Sequence, residues 1–346
     1  MGKQSIRAVG IGSEESKFAS SPPLWQRSDG VLLPPALRPG DTVGIVAPAS
    51  GVYYSSIKSG VQKLRQLGLK VVLGKHIYPE HKYLAAPDQD RAQELMEFVE
   101  REDIRAIVAA RGGYGVMRIF PYLDFALFRQ HPKIIMGYSD ITALLVAIYQ
   151  QSRLVTFHGP VASSTFNAFT VRWLRTVLFA PDYASRYPED WEPMTLTPKQ
   201  EVWTIRSGQA TGRLVGGNLT LLVSTLGTPY EVDTQDAILF LEEIAEEPYK
   251  LDRMLMQLQL AGKLQQCRGI ALGQFVRCEP TSQGLFPLSF TLREVLLQYF
   301  EPLDIPVVYG LPIGHIDSKW TLPLGTLAHL DADAGTITLL EPVVTP

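Results

Sequence analysis

Short apolar runs alternate with longer amphipathic segments along residues 41–158. β-branched and apolar residues predict strands at 41–47, 69–73, 104–110, 133–137 and 154–157. Apolar residues at helical spacing predict helices at about 55–67, from 88 onward, at 116–123 and at 141–151. Strands that alternate with helices in this way form a doubly wound α/β fold, whose parallel sheet is covered on both faces. Ligands of such sheets bind at the carboxyl ends of the strands.

The pattern changes after residue 180. Prolines and charged residues without periodicity fill 181–205, which we interpret as a linker between domains. Beyond it, strands are predicted at 212–215, 237–241, 268–275 and 307–309, helices at 218–226 and 249–260, and a hairpin at 327–340. The sequence thus predicts an extension at 1–35, an α/β domain at 36–180 and a smaller, β-rich α+β domain at 206–346. The extension is polar and proline-rich, which favours a flexible, extended chain.

A serine stands between the central predicted strand and its helix. Gly137 permits a sharp turn, Ser139 follows it, and the apolar stripe of the helix starts at Ile141. This is the layout of a nucleophile elbow, although Ile141 replaces the second glycine of the usual G-x-S-x-G pattern. The alternative is a serine that only caps the helix.

A serine nucleophile needs a base and an orienting carboxylate. His315 ends a glycine- and proline-rich loop after a strand, which suits a base but also an ordinary loop histidine. His158 ends the strand after the elbow helix and is expected to line the same sheet edge. Glu242 and Glu243 follow an apolar strand, and alternation sends them to opposite faces, one toward the cleft and the other toward solvent.

The loop Arg111-Gly112-Gly113-Tyr114-Gly115 also follows a strand and can offer a backbone N–H to an oxyanion. It lacks the Gly-Lys-Ser/Thr of a phosphate-binding loop. The formal net charge of −3 gives no reason to expect nucleic acid or an anionic membrane as partner. No apolar run approaches the length of a membrane span, and no cluster of potential ligands predicts a metal site.

The chain resembles the LD-carboxypeptidases, serine peptidases of the muramoyltetrapeptide carboxypeptidase and microcin-immunity type, from about residue 35 to 342. The resemblance rests on motifs in matching order: GIVAPAS at 44–50, ARGGYG at 110–115, GYSDIT at 137–142, HGP at 158–160, GGNLTLL at 216–222, FLEEIAEEPYKLDRML at 240–255 and GLPIGH at 310–315.

The resemblance implies a catalytic triad of Ser139, Glu242 and His315, with Glu243 in place of Glu242 if the register is off by one. It implies an active site between an N-terminal domain with a nucleophile elbow and a smaller C-terminal domain. Members of the family are typically cytoplasmic homodimers without metal or cofactor, and cleave the bond between a diamino acid and the terminal D-alanine of murein tetrapeptides that are being recycled.

The oxyanion donors implied are the backbone N–H groups of Gly113 and Asp140. The side chains expected to bind the murein-derived peptide are Arg111, Tyr114, His158 and Asn218. Arg111 could receive the free carboxylate of the substrate or form a structural salt bridge. Two other readings stay open: a microcin-immunity type peptidase that cleaves a peptidyl-nucleotide, with Trp191 or Trp203 under the base, and a non-catalytic small-molecule binding protein.

Overall fold

The computed structural model describes residues 27, 29–179, 192–281, 284–286 and 288–346. Its strands are β1 (Thr42–Val46), β2 (Lys70–Leu73), β3 (Ile104–Ala109), β4 (Ile134–Gly137), β5 (Thr156–His158), β6 (Met194–Leu196), β7 (Trp203–Arg206), β8 (Gln209–Asn218), β9 (Ala237–Ile244), β10 (Gly269–Val276), β11 (Val307–Tyr309), β12 (Leu322–Leu324), β13 (Leu327–Asp331) and β14 (Thr336–Leu339). Its α-helices are α1 (Tyr54–Gln66), α2 (Asp88–Glu100), α3 (Phe125–Gln130), α4 (Ile141–Ser152), α5 (Ala168–Leu178), α6 (Leu219–Ser224), α7 (Pro248–Leu260) and α8 (Leu292–Phe300). The predicted helix at 116–123 is a 3₁₀ helix, Val116–Tyr122. None of the helices in the described ranges is long and apolar enough to cross a membrane.

The first sheet has the strand order β12-β5-β4-β3-β1-β2. Strands β1 to β5 are parallel, as predicted, and their carboxyl ends meet at one edge. The outermost strand, β12, comes from the far end of the chain and pairs antiparallel with β5. The first sheet is therefore completed by the second half of the sequence.

The second sheet has the order β6-β14-β13-β8-β9-β10-β11-β7. Its four central strands, β8 to β11, are parallel, and antiparallel strands flank them, including the predicted hairpin of β13 and β14. Strands β6 and β7 belong to this sheet although their residues fall in the predicted linker, of which 181–191 lie outside the described residues. These edge strands are only three and four residues long, so their sequence carries little alternation.

The N-terminal extension ends earlier than predicted. Val31 and Leu32 are fully buried, and the Leu32 N–H donates to the Arg153 carbonyl at 2.9 Å. Pro35 bridges to Thr345 near the end of the chain. The apolar run at 31–33 explains this, because its burial favours packing over an extended, solvated chain. Residues 1–26 and 28 of the predicted extension lie outside the described residues.

Gly217 allows the second sheet to lie directly against helix α4. Gly216 and Gly217 at the end of β8 have φ of +141° and +149°. A Cβ on Gly217 would collide with the side chain of Thr142, whose hydroxyl accepts a hydrogen bond from the Asn218 N–H at 3.1 Å. Because α4 begins just after Ser139, this contact brings the end of β9 close to the predicted elbow.

Candidate active site

Ser139 occupies a tight turn between β4 and α4. Its φ is +64°, a left-handed conformation that costs a non-glycine residue about 1–3 kcal/mol. A Cβ on Gly137 would lie 2.7 Å from the Ile141 side chain, so only glycine fits the turn. The N-cap position of α4 belongs to Asp140, and the alternative of a capping serine is wrong. The strained turn is the one expected of a nucleophile elbow.

Glu242, on β9 of the second sheet, is hydrogen-bonded to His315, on the loop that follows β11. His315 Nδ1 lies 2.8 Å from Glu242 Oε2, and since a carboxylate only accepts, the imidazole donates. Glu242 is 0 % exposed, and its Oε1 has no hydrogen-bond partner among the described residues. A Cβ on Gly314 would lie 2.5 Å from Glu242 Oε2. Glycine at this position therefore allows the loop to place His315 against the carboxylate.

Glu243 points to the opposite face of β9, as alternation predicts, but the expectation that it is solvated is wrong. Its side chain is buried and accepts from Asn218 Nδ2 at 2.9 Å and from the Thr220 N–H and hydroxyl at 2.8 and 2.7 Å. Burial raises the pKa of this carboxyl. The strand continues to Ile244, so both glutamates lie within it and not after it. The geometry pairs His315 with Glu242 and uses Glu243 to hold the start of α6.

The glycine loop after β3 contacts the turn that carries Ser139. A Cβ on Gly112 would lie 2.7 Å from the Ser139 Cβ. The N–H groups of Gly113 and Asp140, which the resemblance implies as oxyanion donors, donate no backbone hydrogen bond within the described residues. The Asp140 carboxylate accepts from the Val116 N–H at 2.9 Å, which fixes the loop to the turn. Burial raises the pKa of Asp140, and this hydrogen bond works against the rise.

Ser50 braces the same loop, a role that the sequence analysis missed. Its hydroxyl accepts from the Tyr114 N–H at 3.2 Å and donates to the Tyr83 carbonyl at 2.6 Å. Ser50 closes the GIVAPAS motif just after β1, so it reaches the carboxyl edge of the sheet. The position of Ser50 directly after a predicted strand is the feature of the sequence that indicates a place at this edge.

Two of the four expected substrate-binding side chains are accessible. Arg111 is exposed, and no acidic side chain of the described residues forms a salt bridge with it. Tyr114 is exposed, with its ring edge-on to that of Tyr83 at 5.6 Å. Asn218 is buried; its Oδ1 accepts from the Leu221 N–H and its Nδ2 donates to Glu243. It therefore organises the helix start and offers no surface to a ligand.

His158 is buried behind the site and does not line its surface, contrary to expectation. Its ring is 2 % exposed, between Tyr138 at 6.1 Å and Phe240 at 5.2 Å. Both ring nitrogens lack a hydrogen-bond partner among the described residues. Burial lowers the pKa of His158 to about 4, so the imidazole stays neutral near pH 7.

Tyr138, which precedes Ser139, connects this buried region to the His315 ring. The two rings meet edge to face at 4.9 Å, and the Lys319 ammonium lies 4.1 Å from the centre of the Tyr138 ring. The sequence around Lys319 gives no sign of this position, because nothing in its local pattern indicates burial. Across the described ranges, no three His, Cys, Asp or Glu residues are grouped so that they could hold a metal ion.

The chain is similar in sequence to proteins and protein domains of known name. Residues 43–159 match the LD-carboxypeptidase N-terminal domain, and residues 211–330 match the LD-carboxypeptidase C-terminal domain. The chain is 41 % identical over 302 residues to the probable murein peptide carboxypeptidase of Bacillus subtilis, covering 86 % of this chain and 91 % of that protein.

Solved structures agree with the fold. Muramoyltetrapeptide carboxypeptidase from Oxalobacter formigenes superposes with a TM-score of 0.74 and 30 % identity, covering 88 % of this chain and all of that one. The wild-type apo form of the microcin C7 self-immunity protein MccF superposes with a TM-score of 0.80 and 27 % identity, covering 91 % of this chain and 100 % of that one. The chain therefore belongs to the LD-carboxypeptidase family and is a serine-type carboxypeptidase.

Proposed function

We propose that the protein hydrolyses the bond between the diamino acid and the terminal D-alanine of murein tetrapeptides, through Ser139, His315 and Glu242. The observation that carries the proposal is the 2.8 Å contact between His315 Nδ1 and the buried Glu242 carboxylate. This hydrogen bond fixes the imidazole so that Nε2 is the basic nitrogen. The strained turn at Ser139 supplies a hydroxyl at the neighbouring sheet edge.

The proposed chemistry is acyl transfer in two steps. His315 Nε2 takes the proton of Ser139 as the hydroxyl oxygen attacks the scissile carbonyl, and the Gly113 and Asp140 N–H groups stabilise the oxyanion. The proton then passes to the leaving amine of D-alanine. Water, activated by the same imidazole, releases the peptide from Ser139.

A carboxypeptidase must also recognise the free carboxylate of its substrate. Arg111 is exposed beside the glycine loop and has no acidic partner among the described residues. Its planar guanidinium can bind a carboxylate through two parallel hydrogen bonds. We therefore assign the terminal carboxylate of the substrate to Arg111.

The test is incubation of the purified protein with murein tetrapeptide, followed by mass spectrometry. We expect release of one D-alanine per tetrapeptide, and no release by S139A. A covalent probe for active-site serines should label the wild type and not S139A. Labelling shows that the preparation is active, so that a lack of D-alanine release can be attributed to the wrong substrate. Labelling without release of D-alanine would contradict the proposed substrate.

A second candidate is a peptidase of the microcin-immunity type, which the TM-score of 0.80 to MccF favours. Of the two tryptophans considered as a base platform, Trp191 lies outside the described residues. The Trp203 ring is covered by the Arg293 guanidinium at 3.8 Å and packs on Tyr309 at 5.9 Å. A nucleobase stacked on the covered face of Trp203 would have to displace Arg293. Parallel assays with tetrapeptide and an aminoacyl sulfamoyl adenosine would rank the two substrates.

We also propose a role in peptidoglycan recycling in the cytoplasm, and a homodimeric state, as the family resemblance implies. Sedimentation of the full chain at several concentrations tests the dimer. Fractionation of the source cells tests the compartment.

A further inference from the structure

A lysine is buried next to the proposed triad. Lys319 lies four residues after His315 in the same loop, and only 4 % of it is exposed. Its ammonium faces the Tyr138 ring at 4.1 Å and makes no hydrogen bond and no ion pair within 4 Å to any described residue. A largely buried ammonium without such partners is unfavourable unless other charges compensate.

The main chain holds this lysine in place. The Lys319 N–H donates to the Thr170 hydroxyl at 3.1 Å, and the same hydroxyl donates to the Asp317 carbonyl at 2.9 Å. The Asp317 carboxylate in turn accepts from the Thr165 hydroxyl at 2.8 Å. The loop that carries His315 is thus fastened to the first half of the chain, and Lys319 is directed inward by that attachment.

The charged and titratable groups around Lys319 come from four elements. These are Glu242 on β9, His315 and Asp317 on the same loop, His158 on β5, and Tyr138 at the elbow, with Arg111 on the glycine loop also acting on Tyr138. The fully buried anion among them is Glu242, which has one hydrogen bond, to His315. Burial lowers the pKa of Lys319 to about 8, against the opposing effect of Glu242, so the ammonium is the main form at pH 7.

We propose that Lys319 is a positioning residue for the hydrolysis, whose buried ammonium offsets the Glu242 carboxylate and so keeps His315 neutral and able to act as base. A carboxylate in contact with an imidazole favours the imidazolium, which cannot accept the Ser139 proton. A nearby cation disfavours the imidazolium. The ammonium and the imidazole both contact the Tyr138 ring, at 4.1 and 4.9 Å from its centre, so the ring holds them in one cluster. The inference rests on the proposed function.

The test compares K319M, which removes the charge at similar length, with K319R, which keeps it. The profile of kcat/KM against pH should show the acid limb of K319M shifted upward by about one pH unit, with about tenfold lower kcat/KM at pH 6. KM should stay within about twofold, since the proposal gives Lys319 a role toward His315 and none in holding the substrate. K319R should keep the limb of the wild type. K263M is the matched control, because Lys263 is a buried lysine that pairs with Glu231 at 3.1 Å elsewhere in the second half.

A second measurement does not depend on activity. The ring protons of His315 can be followed by NMR against pH in full-length S139A, with and without K319M. We expect the imidazole of the K319M form to protonate at higher pH, even if the murein peptide proves not to be the substrate. The failure of the proposed function and the failure of this inference are therefore distinguishable.

Three results would overturn the proposal. In the first, K319M folds and its pH profile and imidazole titration match the wild type. In the second, K319R shifts the acid limb as far as K319M. The shift would then come from the changed shape of the side chain and not from the loss of its charge. In the third, neither K319M nor the polar variant K319Q folds while K319R does, which would mean that the charge supports the fold.

Discussion

The residues of the candidate site meet different physical demands. Ser139 bears backbone strain, Glu242 is an anion removed from water, and His315 is partly exposed. These features do not stabilise the fold, since backbone strain and a buried charge both lower the free energy of unfolding. Such features are expected where function and not stability decides the residue.

S139A should keep the fold and lose about 10⁴-fold or more of kcat, because the hydroxyl forms the covalent bond in the proposed reaction. The side chain is partly exposed and does not cap α4, so its loss removes no packing of the core. Initial rates beside a circular dichroism melt check both parts. Activity close to that of the wild type, in a preparation free of contaminating peptidase, would remove Ser139 from the mechanism.

E242Q and E243Q should fail in different ways. E242Q should lower kcat by about 10⁴-fold, because the amide no longer holds the imidazole in the required tautomer. E243Q should lower the free energy of unfolding by about 1–3 kcal/mol. The Thr220 N–H now donates a hydrogen bond to the Glu243 carboxylate, and the amide N–H₂ of glutamine would place a second donor against it. The kcat of E243Q should fall less than about tenfold.

Urea denaturation and initial rates on both variants separate these effects. Equal losses of kcat, or a greater loss in E243Q, would show that the two glutamates have been assigned to the wrong faces of β9.

At the scale of elements, tight turns place the functional side chains. Within Gly310-Leu311-Pro312-Ile313-Gly314, both glycines have positive φ, of +98° and +106°. A Cβ on Gly310 would have no neighbour closer than 3.8 Å, whereas a Cβ on Gly314 would lie 2.5 Å from Glu242 Oε2. The two positions therefore share the backbone requirement and differ in what a methyl group would contact.

G314A should lower kcat at least tenfold more than G310A, because its methyl group displaces the Glu242 carboxylate from His315. Both variants should lose about 1 kcal/mol of stability from the unfavourable φ. Comparing kcat after correcting for folded fraction isolates the contact. If the two variants lose activity equally, the close approach to Glu242 is not what the glycine provides.

Much of the fold could be predicted from the sequence because its signals are local. Periodicity located β1 to β5, the elbow helix and the closing hairpin to within a few residues. Helix α8 was missed although Thr291 and Glu294 form a capping box, a readable signal. Strand β12 could not be predicted, since Leu322–Leu324 is three residues long and pairs with β5 from far along the chain.

The candidate site also has features that the sequence indicates and features that it does not. Residue type and spacing brought out the serine turn, the two glutamates and the loop histidine as candidates, and the family resemblance selected Ser139, Glu242 and His315 among them. The burial of His158, Asn218 and Lys319 does not follow from the sequence, because polar residues are usually expected at the surface, and tertiary packing alone decides otherwise.

At the scale of the whole molecule, the site and the core share buried polar groups. His158 is 2 % exposed, with neither ring nitrogen hydrogen-bonded among the described residues, so charging it would cost the folded state heavily. Its pKa of about 4 is below the ordinary value of 6.5. As pH falls, the unfolded chain takes up this proton first. The contribution to stability is therefore fully present above about pH 6.5 and is lost progressively toward pH 4.

We expect the free energy of unfolding to fall by up to about 3 kcal/mol between pH 6.5 and 4 on account of His158 alone. H158F keeps an aromatic ring between Tyr138 and Phe240 and removes both orphaned nitrogens, so its decline over this range should be shallower by that amount. Asp29, whose pKa is lowered to about 2, contributes stability that is lost only at more acidic pH, so it does not obscure the comparison. Urea unfolding of both proteins at half-unit steps gives the two slopes. Parallel slopes would mean that His158 is protonated in the folded protein as readily as in the unfolded chain, and would overturn the prediction.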